Sequence, residues 1–416
     1  MSNLFNKALI FKEKKTVGFV AILIFLVVFL FKVIPIALNM PISEDDILKN
    51  KLHNYNVVKM STSEAYQSPQ KPIITQTMVE SENASFFIRV LLKNNHELFD
   101  VTMIFLILVM CFIQMFPDRW GKYESISYSL PVKKGLIMLH KLLLGFVIII
   151  SSVMLNGFII LAQYYINKSL LINFILPFEV IQWTIITLLS YCSIYALFMF
   201  VFSVCGNIFA GAIMSPLIML YPLYFSAIIG AFSEVLQKKI PSYLLENFSL
   251  KITNHYVYKV FVAFTDSISL FMYSGRYNYQ HINYNGISLN ELPVIEVFWG
   301  TNVFLLLSIT FLFAFLAIHY FDNNMLEKRH RIIQFNGVQK AFILFFTIGF
   351  TTLTTLVLDM LFFGGQRYGS YGSLAIFVLI FFLSLITGIL ISNKLMNIGR
   401  KNSNRILKLK KGVLKA

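Results

Sequence analysis

The sequence predicts an all-α integral membrane protein of about eight transmembrane helices. Three observations carry that reading. Hydrophobic residues fill 57% of the 416 positions and charged residues only 13%, too little polar surface for a water-soluble chain of this length. The apolar residues come in long unbroken runs rather than in the alternation of a membrane barrel, so the spans are helices that satisfy their own backbone hydrogen bonds. Basic residues, which give the chain a net charge of +15, gather between alternate runs.

In chain order, residues 1–16 read as a short helix lying in the membrane interface, because "NLFNKALIFKEKK" places Leu4, Phe5, Ala8, Leu9 and Phe11 on one side and lysines after them. A crossing needs roughly 20 apolar residues, and the first is Val17 to Leu38, followed by a polar outer loop over 39–97. This first run carries no small-x-small cleavage pattern in "IPIALNM", so it stays as a signal anchor. The next spans are Leu98 to Phe116, Leu142 to Leu161, Val180 to Val204 and Ile208 to Ile229; only "CGN", Cys205 to Asn207, separates the last two, which makes them a tight hairpin. A second outer segment, 230–292, is rich in aromatics and reads as helices on the outer leaflet. Val294 to Phe321 completes a six-span core over 17–321, a two-helix hairpin follows over 341–391 (Ala341 to Met360 and Leu374 to Ile391), and residues 392–416 form a basic tail.

The basic residues orient the chain. Lys7, Lys12, Lys14 and Lys15, then Arg119, Lys122, Lys133, Lys134 and Lys141, then Lys328, Arg329, Arg331 and Lys340, and the tail from Lys394 onward all fall on one side. That places both termini in the cytoplasm of a multi-pass cell-membrane protein. The charge is a topology signal, and no nucleic-acid partner is needed to explain it. Membrane lipids are the expected partner of the tail and of Lys133 and Lys134.

Several chemistries are missing. There is no GxxxxGK[ST] phosphate loop, and "HELFD" at His96 to Asp100 lacks the second histidine of a zinc protease motif. Cys111, Cys192 and Cys205 lie in or beside spans, so no disulfide framework or cysteine metal site is expected. No catalytic, cofactor or metal residue can be nominated, and the chain reads as a non-enzyme. Of the histidines, only His319 is expected inside a span. Lys32, Asp100, Glu179, Glu296 and Asp359 stand near the outer ends of their spans, where snorkelling to the interface is the expectation. This speaks against a proton-driven carrier.

One polar stretch stands between two of the runs, "YESISYSLPVKKGLIMLHK", Tyr123 to Lys141. Asp118 can cap a short helix on which Tyr123, Ile126 and Leu130 form one apolar edge. Pro131 breaks it and is acceptable in the first turn of a new helix capped by Ser129. An apolar edge in a cytoplasmic loop this short needs cover, from lipid headgroups or from another protein.

At these residues the sequence resembles ABC-2 type permeases, in which the connection between the second and third spans reads as Glu, a few residues, "LPV", two basic residues, then a Lys heading the next span. The match lies on Glu124, Leu130, Pro131, Val132, Lys133, Lys134 and Lys141. The layout over Met1 to Phe321 is similar too; the two extra spans and the long 230–292 segment resemble the larger Gram-positive forms associated with multidrug and antimicrobial-peptide export. The resemblance implies an ABC-2 (type V exporter-like) core with a coupling helix at 118–134. It implies two such subunits, identical or paired with a sister permease, docked on cytoplasmic ABC ATPase subunits that hydrolyse ATP to export a peptide, drug or lipid-like substrate. Tyr123, Glu124, Ile126, Leu130, Pro131, Lys133 and Lys134 would then form the ATPase-coupling site. The alternative from another class is a non-transporting membrane scaffold or peptide sensor, built on the two outer segments.

Overall fold

A computed structural model describes residues 7–40, 83, 87, 96–119, 133–172, 176–239, 295–323, 333–363 and 375–394. Among these residues the chain is helical with no strand, and one isolated antiparallel bridge joins Cys205 to Ile333. The helices are α1 (Lys7–Val28), a π-helical turn (Phe29–Val33), α2 (Ile34–Asn39), α3 (His96–Arg119), α4 (Lys134–Ile166), the single turn α5 (Lys168–Leu171), α6 (Pro177–Val204), α7 (Ile208–Lys239), α8 (Ile295–Asp322), α9 (Asn336–Phe363) and α10 (Ala375–Lys394).

Among the described residues seven helices are long and apolar enough to cross a membrane: Val17–Asn39, Phe99–Pro117, Lys134–Ile166, Pro177–Val204, Val303–Asp322, Gly337–Leu361 and Ala375–Lys394. The protein is therefore an all-α, multi-span membrane protein. The remaining expected span, Ile208 to Ile229, lies within α7, whose described apolar stretch is Ile208–Pro222. The turn "CGN" connects α6 to α7 as a tight hairpin, and Asn207 caps α7 by accepting from the Phe209 amide at 3.0 Å. Helix α1 runs unbroken past Thr16 into the first span, with no corner between interfacial and spanning residues. Most of the expected outer segments 39–97 and 230–292, residues 120–132 and the tail beyond Lys394 lie outside the described residues; Asn83 and Phe87 of the first outer segment are described. Phe87 is buried and meets the Tyr164 ring edge-on, with 6.2 Å between centroids.

Side-chain contacts fix the direction of each helix. Asn156 reaches the Phe25 carbonyl and Gln163 the Val33 carbonyl, so α4 runs parallel to α1. Gly145 lies under Tyr195 and Gly157 under Thr184, so α6 is antiparallel to α4. Ser193 meets Thr310 while Phe200 stacks on Phe313, so α8 follows α6. Tyr221 donates to the Phe345 carbonyl and Tyr224 to that of Gly349, so α9 is parallel to α7. Thr347 bonds Ser392 and Thr351 lies at Gly388, so α10 is antiparallel to α9. Successive long helices thus alternate, and α1 begins on the side where α10 ends. We call that the lower end; there α3 and α8 finish, and α4, α7 and α9 begin.

Helix α6 is the centre. Almost every residue from Gln182 to Val204 is buried, against α4, α8, α3 and α7. Such a helix is apolar all round, and its hydroxyls fold back on its own carbonyls, as Thr184 does to Val180 and Ser190 to Ile186. Close approach needs small residues: on α4, a Cβ at Gly145 would fall within the Tyr195 ring, and one at Gly157 would stand 2.5 Å from Thr184 Cγ2. The hairpin α9–α10 sits apart, joined to the core through α7 and closed on itself by Thr347, Thr351, Ser384, Gly388 and Ser392.

These contacts predict opposite effects at two glycines. Gly157→Leu overpacks the α4–α6 seam and should cost about 1–3 kcal/mol or prevent accumulation, whereas Gly18→Ala, with nothing within 4 Å of its Cβ, should be neutral or slightly stabilising. Melting curves of the detergent-solubilised variants, read by size-exclusion chromatography, check both.

Candidate functional site

The sequence places its candidate residues in the lower connection from α3 to α4. Tyr123, Glu124, Ile126, Leu130 and Pro131 lie outside the described residues. Lys133 is exposed and stands as the N-cap of α4, and Lys134 opens the helix half-buried. Helix α4 starts earlier than the apolar run, because its first two turns belong to the interface. At 33 residues it is about 50 Å long, well beyond a hydrocarbon core of about 30 Å. His140 consequently lies inside the helix, against the expectation that His319 would be the one histidine within a span, and it is buried, while His319 is exposed and stacks on Phe315.

What the structure adds is the frame on either side of the connection. Lys141 is buried, and its ammonium donates to the backbone carbonyl of Gln114 on α3. Pro117 stands inside α3 just below this bond, where its missing N–H leaves the neighbouring Ile113 carbonyl without an intrahelical donor. The Tyr195 hydroxyl of α6 lies 2.7 Å from Gln114 Oε1 and 2.8 Å from the Lys141 carbonyl, sharing its proton between the two. Gly145 lets the Tyr195 ring lie against α4, and Phe146 meets that ring edge-on at 5.4 Å. At the same end, Asp322 at the close of α8 accepts from the Gly135 amide at 3.1 Å, satisfying one of the orphan amides at the start of α4. Lys141 was visible in the sequence only as the basic head of a span; Gln114 and Tyr195 carried no signal at all.

A second polar cluster occupies the upper half. Lys32 lies in the π-helical turn, its amine 5.0 Å from the centroid of Phe99 and 6.0 Å from that of Trp183. It is electrostatically coupled to Asp100, and Tyr191 of α6 donates to Asp100 Oδ1 at 2.7 Å. Lys32, Asp100 and Asp359 are 1%, 4% and 2% exposed. The snorkelling expectation is therefore corrected for these three: each turns into the bundle. For Lys32 and Asp100 the reason is the partner, because an opposite charge, a phenol and two aromatic faces replace the water that the interface would have offered. Glu179 is half-buried, and the Glu296 side chain lies outside the described residues.

Among the described residues no three His, Cys, Asp or Glu side chains come together as a metal site. Comparison with known protein families, with curated proteins and with solved structures finds no match to this chain. The class that the fold defines is a helical multi-span membrane protein with two buried polar clusters, which meet its central helix one turn apart at Tyr191 and Tyr195.

The upper cluster predicts a coupling. Lys32→Met or Asp100→Asn alone leaves a buried charge without its partner and should cost about 3–5 kcal/mol. The double variant should recover much of that loss, so a double-mutant cycle on melting or denaturant unfolding gives a large interaction energy. Strict additivity of the two losses would show that the charges do not act as a pair.

Proposed function

We propose that this chain is the transmembrane permease subunit of an ABC transporter, exporting a peptide, drug or lipid-like substrate with ATP hydrolysed by a separate cytoplasmic subunit. The observation that carries the reading is the pattern "YESISYSLPVKKGLIMLHK", in the connection that leads from α3 into α4. In this reading residues 118–134 hold the coupling helix, whose edge of Tyr123, Ile126 and Leu130 enters a cleft of the ATPase, with Glu124 facing a basic group there. Closure of the ATPases around nucleotide then pushes on α3 and α4 together, as a rigid lever. Two permease subunits, identical or paired, complete the transporter in the cell membrane. The lower end is cytoplasmic, with Lys133 and Lys134 at lipid phosphates and the basic tail on the anionic leaflet, where each basic residue contributes about 1 kcal/mol.

Pull-down of the ATPase tests the reading. Leu130→Asp puts a carboxylate into a dry contact and Glu124→Lys replaces attraction by repulsion, so both should abolish co-purification while the chain still inserts and accumulates. Ser125→Asp, on the other side of the helix, should do little. Unchanged ATPase binding in both disruptive variants would remove the reading's main support. A kinase recovered in place of an ATPase would favour the sensor alternative.

Orientation has its own check. Cysteines at Ser63 and Asn283 should react with impermeant thiol reagents on intact cells, and those at Ser127 and Asn404 only after lysis. The native cysteines described here are buried and contribute little background.

A further inference from the structure

The three bonds of the lower cluster form a closed ring, and each joins a different pair of helices. Lys141 of α4 holds the Gln114 carbonyl of α3; Gln114 Oε1 holds Tyr195 of α6; Tyr195 holds the Lys141 carbonyl. A single bond between two helices leaves a hinge, whereas a triangle of bonds resists shear in every direction within its plane. Lys141 and Gln114 are both about 2% exposed and Tyr195 is fully buried, so no water competes for these bonds and each is strong in its low-dielectric surroundings. Any displacement of the lower ends of α3 and α4 is thereby imposed on α6.

Helix α6 carries it onward through one turn. Tyr191 stands four residues before Tyr195, on the same helix face, and holds Asp100 at 2.7 Å. Asp100 is coupled to Lys32 in the π-helical turn of the first span, a local unwinding that can exchange with ordinary α-helix. Trp183, two turns further up α6, faces the same lysine. The lower ends of α3 and α4 are thus linked to the π-helical turn of the first span by hydrogen bonds at two tyrosines one helical turn apart and by the charges of Asp100 and Lys32.

We propose that Lys141, Gln114 and Tyr195 are positioning residues that lock α3, α4 and α6 into one body, and that the Tyr195–Tyr191 turn of α6 transmits motion of the lower ends of α3 and α4 to the Lys32–Asp100 pair. The proposal rests on the permease reading for the source of that motion. It separates docking from transmission: the connection binds the ATPase, and the ring delivers the stroke.

The test uses the tagged chain co-purified with its ATPase in nanodiscs, with a bimane fluorophore on Leu38→Cys, an exposed site at the upper end of α2. Addition of ATP and orthovanadate should shift the bimane emission in the otherwise unsubstituted complex. Tyr195→Phe keeps the ring over Gly145 and removes only the hydroxyl; Lys141→Met removes the donor. In both, the ATPase should co-purify at the normal ratio and hydrolyse ATP, while the vanadate-dependent shift falls by about threefold or more. Lys141→Arg, which retains a donor, should restore it. A merely structural role would lower melting temperature and leave the shift intact. If Tyr195→Phe, which perturbs packing least, keeps the full shift with normal ATPase binding, the transmission proposal is overturned and the permease reading stands. An unsubstituted complex with no shift at Leu38→Cys overturns it equally. If no ATPase co-purifies with the unsubstituted chain, the permease reading falls and the proposal falls with it.

Discussion

Hydrocarbon offers no water to a backbone amide or a polar side chain, and the position of α6 follows from that constraint. A helix surrounded by four others must present no unsatisfied group on any face. It meets the requirement by turning Thr184, Ser190 and Ser193 back onto its own carbonyls and by sharing Ser193 with Thr310 of α8. Its neighbours can then approach closely, α4 through Gly145 and Gly157. Without those two contacts α4 would stand off, and Tyr195 would not reach the Lys141 carbonyl.

The two buried lysines show two solutions to the same electrostatic problem. Lys32 is held by a carboxylate and by the faces of Phe99 and Trp183. Lys141 is held by the Gln114 backbone carbonyl of α3. The first solution needs a residue of opposite charge on another helix. The second needs only backbone, near the lower end of α3. Both lysines gain rigidity from their partners, and both draw α6 in through a tyrosine.

The hairpin α9–α10 follows different physics. Its inner seam is threonine, serine and glycine, which permits close packing and side-chain hydrogen bonds across the pair. Its outer face is apolar and turned away from the rest of the chain, with Leu379, Phe382, Leu383, Ile386 and Leu390 exposed. Attachment to the core passes through α7, at Tyr221 and Tyr224, and through residues 333–335, which bridge to Cys205, bond the Val204 carbonyl and set Phe335 against Tyr320.

The sequence by itself determined the class of the protein. Of the eight expected crossings, seven correspond to helices long and apolar enough to span among the described residues, and these and the tight turn at Cys205 to Asn207 were legible because run length and hydropathy are local properties that lipid reads directly. The polar stretch between α3 and α4 was legible for the same reason, as charge interrupting an apolar chain. Tertiary structure decided where the ionisable groups turn. Lys32 and Asp100 lie 68 positions apart in the chain and look alike to any rule based on distance from a helix end; only packing brings them to one site and makes the interior a better place for them than the interface. Gln114 and Tyr195 are ordinary polar residues on long apolar helices until the packing of α3 on α4, and of the Tyr195 ring on Gly145, sets a carbonyl and a phenol beside Lys141. Such partnerships depend on which helices adjoin and at what height, and that information is held in shape complementarity between distant segments rather than in any local pattern.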